Sequence, residues 1–175
     1  SRKMSAAWRE MEAEIEERRA LDLDEIRRRV NETTTFREID EAELQFGRKI
    51  GSGAYGAGYI GRWQDAPVAI KVLQLQDGIT EEAVQEFRHE ATVMAKVGHH
   101  PNVLHFVGAS MSAERLCLVT HYCKRGSLLN VLQNESLSAE LRLRMATEAA
   151  AGLAFLHSQG VIHRDIAARN VLVGA

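Results

Sequence analysis

Cysteine is scarce in this chain: Cys117 and Cys123 are the only two, both near its middle. Two thiols build neither a disulfide framework nor a zinc quartet, so they are expected to be reduced packing residues. Long apolar runs are missing too. Nowhere do about 18 apolar residues follow one another, as a membrane-spanning helix requires, and Ser1 to Glu10 lacks the apolar core of a secretory leader. A cytoplasmic address without a membrane is expected. Excess charge is the third absence. The 22 Lys and Arg stand against 24 Asp and Glu, a formal net charge of −2, which excludes a chain that grips nucleic acid or an anionic membrane by bulk electrostatics. What is present, 45% hydrophobic and 26% charged residues over a length of 175, suits a globular protein with a sizeable core.

Ala6 to Val30 is dense in Glu and Arg among good helix formers, with Trp8, Met11, Ile15 and then Leu23, Ile26, Val30 at three- and four-residue spacing. Arg18 and Arg19 interrupt the stripe before it becomes a sustained heptad. Two readings stand: a docking helix that meets a partner or a second copy, and a solvated extension held by i,i+4 charge pairs. Asn31 to Thr35 reads as a linker, which closes a first unit over residues 1–35. From Leu44 the period changes to two, glycines crowd residues 51–58, and strands follow at 59–63 and 68–73 around the turn Gln64-Asp65-Ala66-Pro67. Thr80 caps a helix that starts with Glu81 and Glu82, carries Val84, Phe87, Ala91 and Met94 on one face, and ends near Gly98. Past Pro101, strands are expected at 103–107 and 116–120, giving a sheet of five. Ser138 caps a long helix, its face lined by Leu141, Met145, Ala149 and Leu156, that runs to about His157. Two short apolar strands, 161–162 and 171–173, then flank a polar run. Sheet first and helix later indicates α+β architecture in two lobes.

Gly51-Ser52-Gly53-Ala54-Tyr55-Gly56 fits G-x-G-x-x-G, a spacing shared by several nucleotide-binding folds. A dinucleotide fingerprint needs a helix directly afterwards, and a Walker loop needs Lys-Ser or Lys-Thr; Ala57-Gly58 and a strand follow instead. A glycine hairpin between two strands remains, either merely flexible or able to bring backbone amides against phosphates. Lys71 interrupts the apolar strand Val68-Ala69-Ile70-Lys71-Val72, and Glu90, three residues after Phe87 and four before Met94, is expected on the same helical face as the core residues. Such charges are costly on a buried face unless they pair with each other or with a ligand. The run His163-Arg164-Asp165-Ile166-Ala167-Ala168-Arg169-Asn170 gathers more polar groups than an idle loop requires.

That run resembles the H-R-D-x-x-x-x-N catalytic loop of protein kinases, and the earlier motifs fall in the kinase order: glycine loop, V-A-I-K lysine, helix glutamate, His-Pro-Asn turn, catalytic loop. The resemblance covers Leu44 to Ala175. It implies a two-lobed kinase fold: an N-lobe and hinge over 36–123, complete with five strands and one helix, and a partial helical C-lobe over 124–175. It also implies ATP and Mg2+ as cofactors and a protein hydroxyl as acceptor. By resemblance, Gly51, Gly53 and Gly56 cover the phosphates, and Lys71 binds the α/β-phosphates while Glu90 holds it in place. Asp165 takes the hydroxyl proton, Arg169 positions it or the acceptor, and Asn170 holds a metal. Ala69 and Leu172 match the residues that sandwich adenine, and Thr120 matches the gatekeeper before the hinge His121-Tyr122-Cys123. Met94, Phe106 and His163 match a stack that couples helix and loop.

Departures carry their own expectations. Gly58 stands where the family has a valine that packs on adenine, so weaker stacking is expected. His121 stands where an acidic residue is common. No Asp-Phe-Gly follows Asn170 before Gly174-Ala175, so the 175-residue polypeptide is expected to be an inactive fragment, prone to self-association through the uncovered face of its last helix. Ala167-Ala168-Arg169 resembles the tyrosine-kinase loop, whereas the short connection between Trp63 and Val68 resembles the tyrosine-kinase-like group, so the reading leans to tyrosine or dual specificity and leaves serine and threonine open. The rival readings are a non-catalytic ATP-binding pseudokinase and an interaction scaffold.

Overall fold

The computed structural model describes residues 36–53, 56–73, 79–112 and 114–174. The charged stretch 1–35, with its helix and linker expectations, lies outside them.

Five antiparallel strands, β1 (Gln45–Gly53), β2 (Gly56–Trp63), β3 (Ala66–Val72), β4 (Phe106–Met111) and β5 (Leu116–His121), form one sheet in the order β1-β2-β3-β5-β4. The β2–β3 turn is tighter than the sequence reading. Gln64 and Asp65 alone make it, with φ of 48° and 61°, the primed geometry whose twist matches the strands it joins. Ala66 and Pro67 belong to β3. Proline is tolerated there because pairing with β5 begins only at Val68, opposite His121, so no ladder bond is lost on that side.

Helix α1 (Glu81–Lys96) starts where its cap indicates: Thr80 Oγ1 accepts from Ala83 N at 3.2 Å, and Glu81 and Glu82 sit in the first turn. Alternation in β5 sends Leu116 and Leu118 to one face, where they meet Val84, Phe87 and Ala91 of α1, and Cys117 and Val119 to the other, with Ile39, Leu44, Trp63, Val68 and Ile70. Cys117 is a packing residue as expected, and burial pushes its thiol up to about 12.

Strand β4 begins at Phe106, three residues later than the sequence reading. The intervening residues form a turn, in which His100 O accepts from Val103 N at 3.1 Å and its Nδ1 accepts from Asn102 N at 3.1 Å. This turn docks on helix α3 (Ala139–Ser158): His100 stacks on Phe155 with ring centroids 4.6 Å apart, and a Cβ on Gly152 would lie 2.2 Å from the Asn102 carbonyl oxygen, so the approach needs glycine. Ser138 caps α3 as predicted, through Leu141 N at 3.1 Å. Gly160, at φ 73°, ends it: its N–H bonds His157 O, and Val161 N bonds Leu156 O. Residues 161–162 are therefore the helix exit and not a strand. Leu172 makes a single bridge, to Ser127. A short helix, α2 (Leu128–Asn134), was not read from the sequence, although Ser127 caps it through Asn130 N at 3.2 Å.

The sheet with α1 and the helical part with α2 and α3 are joined by residues 121–123 and touch where the turn at 100–102 docks on α3, in the expected α+β arrangement. Among the described residues no helix is long and apolar enough to cross a membrane.

Candidate functional site

The glycine hairpin joins β1 to β2, with Gly51 opposite Gly58 and Gly53 opposite Gly56. Gly56 has φ 127°, and a Cβ there would overlap the Val72 carbonyl oxygen at 2.0 Å, so the turn end of the hairpin lies against the end of β3. Gly58 is different. A Cβ would meet only the Ile50 side chain, at 3.5 Å, and Gly58 pairs with Lys71 on β3.

Lys71 Nζ lies 3.4 Å from Glu90 Oε1, a contact between β3 and α1 across 19 residues of chain. The sequence reading put both charges on a buried face. Their side chains are instead 44% and 46% exposed. Glu90 is three residues past Phe87, a rotation of about 300° that carries it off the core face to the flank. An ion pair so wet contributes about 0–1 kcal/mol to folding. Stability therefore does not account for it, and an ammonium held at a sheet surface by one carboxylate retains donors for a second anion.

Thr120 pairs with Ala69 on one side and Phe106 on the other, at the end of β5. The chain then leaves the sheet through His121, whose N–H bonds His105 O at 2.9 Å, and reaches Cys123, whose carbonyl accepts from Gly126 N at 3.1 Å. Burial raises the Cys123 thiol pKa, which keeps it protonated and unreactive near neutral pH. Leu172 lies below, held by Val173 N to Gly126 O at 2.8 Å. A cavity of about 520 Å³ opens between His121, Cys123 and Leu172 on one side and Leu141 and Met145 of α3 on the other. Lys71, Glu90 and Asp165 are not on its wall.

Asp165, Arg169 and Asn170 form a knot. Arg169 Nη2 donates to Asp165 Oδ1 at 2.6 Å, while Asn170 Nδ2 donates to Oδ2 at 2.8 Å and to the Asp165 carbonyl at 2.9 Å. The Asn170 amide, and after it the Arg169 guanidinium with its bond and charge, hold the Asp165 carboxyl below the usual carboxylate range against opposing desolvation. The carboxylate is thus ionised and aimed. The Asp165 backbone N–H donates to His163 Nδ1 at 3.3 Å, and Arg164 takes φ 65° to let the chain turn. Helix α2 supplies the anchor that sequence reading missed: its first amides, of Leu128 and Leu129, have no partner within the helix and donate to Val171 O at 2.7 Å and Ala168 O at 3.0 Å. Ser127 before Leu128-Leu129 was the available signal.

Met94 and Phe106 pack against the α1 cluster, whereas His163 is exposed and serves the loop backbone. Both N–H groups of the Asn170 amide are used by Asp165. Among the described residues no three His, Cys, Asp or Glu side chains gather as a metal cluster.

Removal of the Asn170 amide is expected to raise the Asp165 pKa towards that of an ordinary aspartate. A carboxyl with a depressed folded-state value favours the fold above its unfolded pKa and loses that contribution as pH falls through the folded value. An NMR titration of Asp165 in Asn170→Ala should therefore show protonation at higher pH than in the parent, and equal midpoints would remove the amide as cause.

Residues 44–175 match the family described as protein tyrosine and serine/threonine kinase. The chain is 41% identical over 140 residues to the probable serine/threonine-protein kinase SIS8 of Arabidopsis thaliana, covering 78% of this chain and 13% of that protein. It is 36% identical over 140 residues to the probable serine/threonine-protein kinase drkD of Dictyostelium discoideum, again over 78% of this chain and 11% of the relative. The chain thus spans a small part of the relatives it matches.

Proposed function

Since the chain belongs to the protein tyrosine and serine/threonine kinase family, we propose that it forms the nucleotide-binding part of a protein kinase that transfers the γ-phosphoryl group of ATP to a protein hydroxyl. The observation that carries this reading is the half-exposed Lys71–Glu90 pair at 3.4 Å, set beside the glycine hairpin through the Gly58–Lys71 register. In this reading residues 36–123 are the N-lobe and hinge, 124–175 belong to the C-lobe, and 1–35 are an extension through which a partner or a second copy docks. Gly51, Gly53 and Gly56 cover the phosphates, Lys71 bonds the α/β-phosphates, and Glu90 keeps the ammonium aimed. Ala69 and Leu172 enclose adenine, with Thr120, Tyr122 and Cys123 along its edge.

Phosphoryl transfer asks a protein mainly for alignment and charge neutralisation. Asp165 accepts the acceptor hydroxyl's proton and orients its oxygen, and its lowered pKa keeps it ready for that task. Arg169 and Asn170 each hold one carboxylate oxygen, which fixes how the group faces the substrate and leaves a further lone pair on each oxygen for the hydroxyl proton. A divalent metal, Mg2+ in our reading, neutralises phosphate charge when bound, and the Asn170 carbonyl oxygen would hold it. The relatives' names favour a serine or threonine acceptor over the tyrosine suggested by Ala167. The tyrosine-kinase-like group, a signalling role and a cytoplasmic address complete the proposal.

For the 175-residue polypeptide itself we propose nucleotide binding without turnover, because in this reading Asn170 is the one residue assigned to hold the metal and Asp165 is engaged with the acceptor hydroxyl. In a thermal melt, Mg·ATP should raise its midpoint, while a radiolabelled transfer assay should give no product. The absence of any nucleotide shift would leave only a scaffold role.

Gly58 offers a gain of function. A Cβ there would meet only the Ile50 side chain, at 3.5 Å, an ordinary contact, and no backbone atom. Covering adenine with a branched apolar side chain should tighten nucleotide binding by about 1 kcal/mol, roughly fivefold, in calorimetric titration of Gly58→Val.

A further inference from the structure

The segment ahead of β1 has no nucleotide-binding role in that reading, yet it is clamped along its length. Phe36 is 9% exposed and lies in the cluster of Val84, Phe87 and Ala91 from α1, with its ring edge-on to Phe106 at 6.5 Å. Three residues later Ile39, 2% exposed, lies in the cluster on the opposite face of the sheet with Trp63, Val68 and Cys117. Between them the chain rounds the free edge of β4: Ala109 N donates to Arg37 O at 3.0 Å and Ile39 N to Ala109 O at 2.8 Å. Gly108 permits the crossing, since a Cβ there would stand 2.6 Å from Arg37 O. Farther on, Glu41 bonds Arg115 at 2.9 Å, Glu43 takes the Trp63 indole N–H at 2.9 Å, and the Arg37 guanidinium sits 5.3 Å over the Trp63 ring.

These anchors other than Phe36 are to the sheet or, for Glu41, to Arg115 in its β4–β5 connection. The exception is Phe36, whose ring joins the sheet to α1. That helix carries Glu90 one turn beyond Phe87, and the exposed contact of Glu90 with Lys71 is too weak to hold a helix in place. The register of α1 on the sheet must come from apolar packing, and Phe36 supplies part of it from outside both elements. We propose that Phe36 is a positioning residue for the phosphate-binding lysine: its ring keeps α1 where Glu90 meets Lys71. Without it the helix shifts, the pair opens, and only a fraction of molecules holds the ammonium aimed.

This rests on the nucleotide reading, so the test includes a readout independent of nucleotide. In the 175-residue chain, Phe36→Ala is compared with Ile39→Ala, which removes buried apolar side chain from the opposite cluster. If the competent fraction falls to about a tenth, Mg·ATP affinity falls about tenfold. We expect that loss for Phe36→Ala, with the Lys71 side-chain ammonium resonance moved to its position in Glu90→Gln. Ile39→Ala should lower the unfolding midpoint yet keep the parent's affinity and resonance, and Phe36→Trp should restore both. Should Phe36→Ala fail to fold, Phe36→Leu carries the same comparison. Equal behaviour of the Phe36 and Ile39 variants, or a Lys71 resonance unmoved by loss of the Phe36 ring, overturns the proposal. If the parent binds no nucleotide, the functional reading fails, and the resonance comparison still decides the role of Phe36.

Discussion

Lys71→Met is expected to abolish the rise in melting midpoint that Mg·ATP produces, while the unliganded chain keeps its stability to within about 1 kcal/mol. The two halves of that result come from one geometry. Methionine preserves the length and most of the apolar stem of the side chain, and the pair it breaks is about half exposed on both sides, so folding loses little. The phosphates lose a point charge for which the neighbouring residues offer no replacement on β3: Ile70 is fully buried and Val72 is apolar. Affinity should fall at least tenfold, about 1.4 kcal/mol. Calorimetric titration and a melt of the same sample separate the halves. A variant that lost stability in proportion to affinity would mean that the pair is structural.

Phe87→Ala should lose stability and affinity together, and its effect on folding is the largest we expect. Phe87 is 1% exposed, in the middle of the cluster that seats α1 on β4 and β5. Truncation removes the ring and leaves a cavity that Val84, Ala91, Leu116 and Leu118 cannot fill without moving backbone, a loss of about 3–5 kcal/mol. Against the roughly 5–15 kcal/mol of an ordinary domain this is a large share. Urea unfolding should show the midpoint falling sharply, and nucleotide binding should vanish with it because Glu90 rides on the same helix. A loss below about 1 kcal/mol would show that α1 is held elsewhere.

The elements that sequence reading placed well are those with local signals. Thr80 and Ser138 mark two helix starts through side-chain caps, and the short apolar run from Leu116 to Thr120 marks β5, because both signals act within a few residues of chain. The errors have equally local causes. His100 accepts two backbone N–H groups and prolongs the turn after Pro101, which delays β4. Helix α2 was missed because seven residues hold too few turns for a periodic stripe, and it is secured by bonds to residues 168 and 171, some forty positions away.

The glycine spacing, the lysine within an apolar strand and the order of the motifs were set down in the residue string, and with them the kinase family and the α+β class. Local chemistry suffices for such features, since a cap, a turn or an alternating strand is decided by neighbours along the chain. What the tertiary structure decided was how wet the Lys71–Glu90 pair is, how Asp165 is tied by Arg169 and Asn170, and that the stretch from Phe36 to Leu44 wraps the edge of β4 to reach both cores. Exposure and wrapping depend on which distant surfaces meet when the chain packs, and no window of neighbouring residues contains that information.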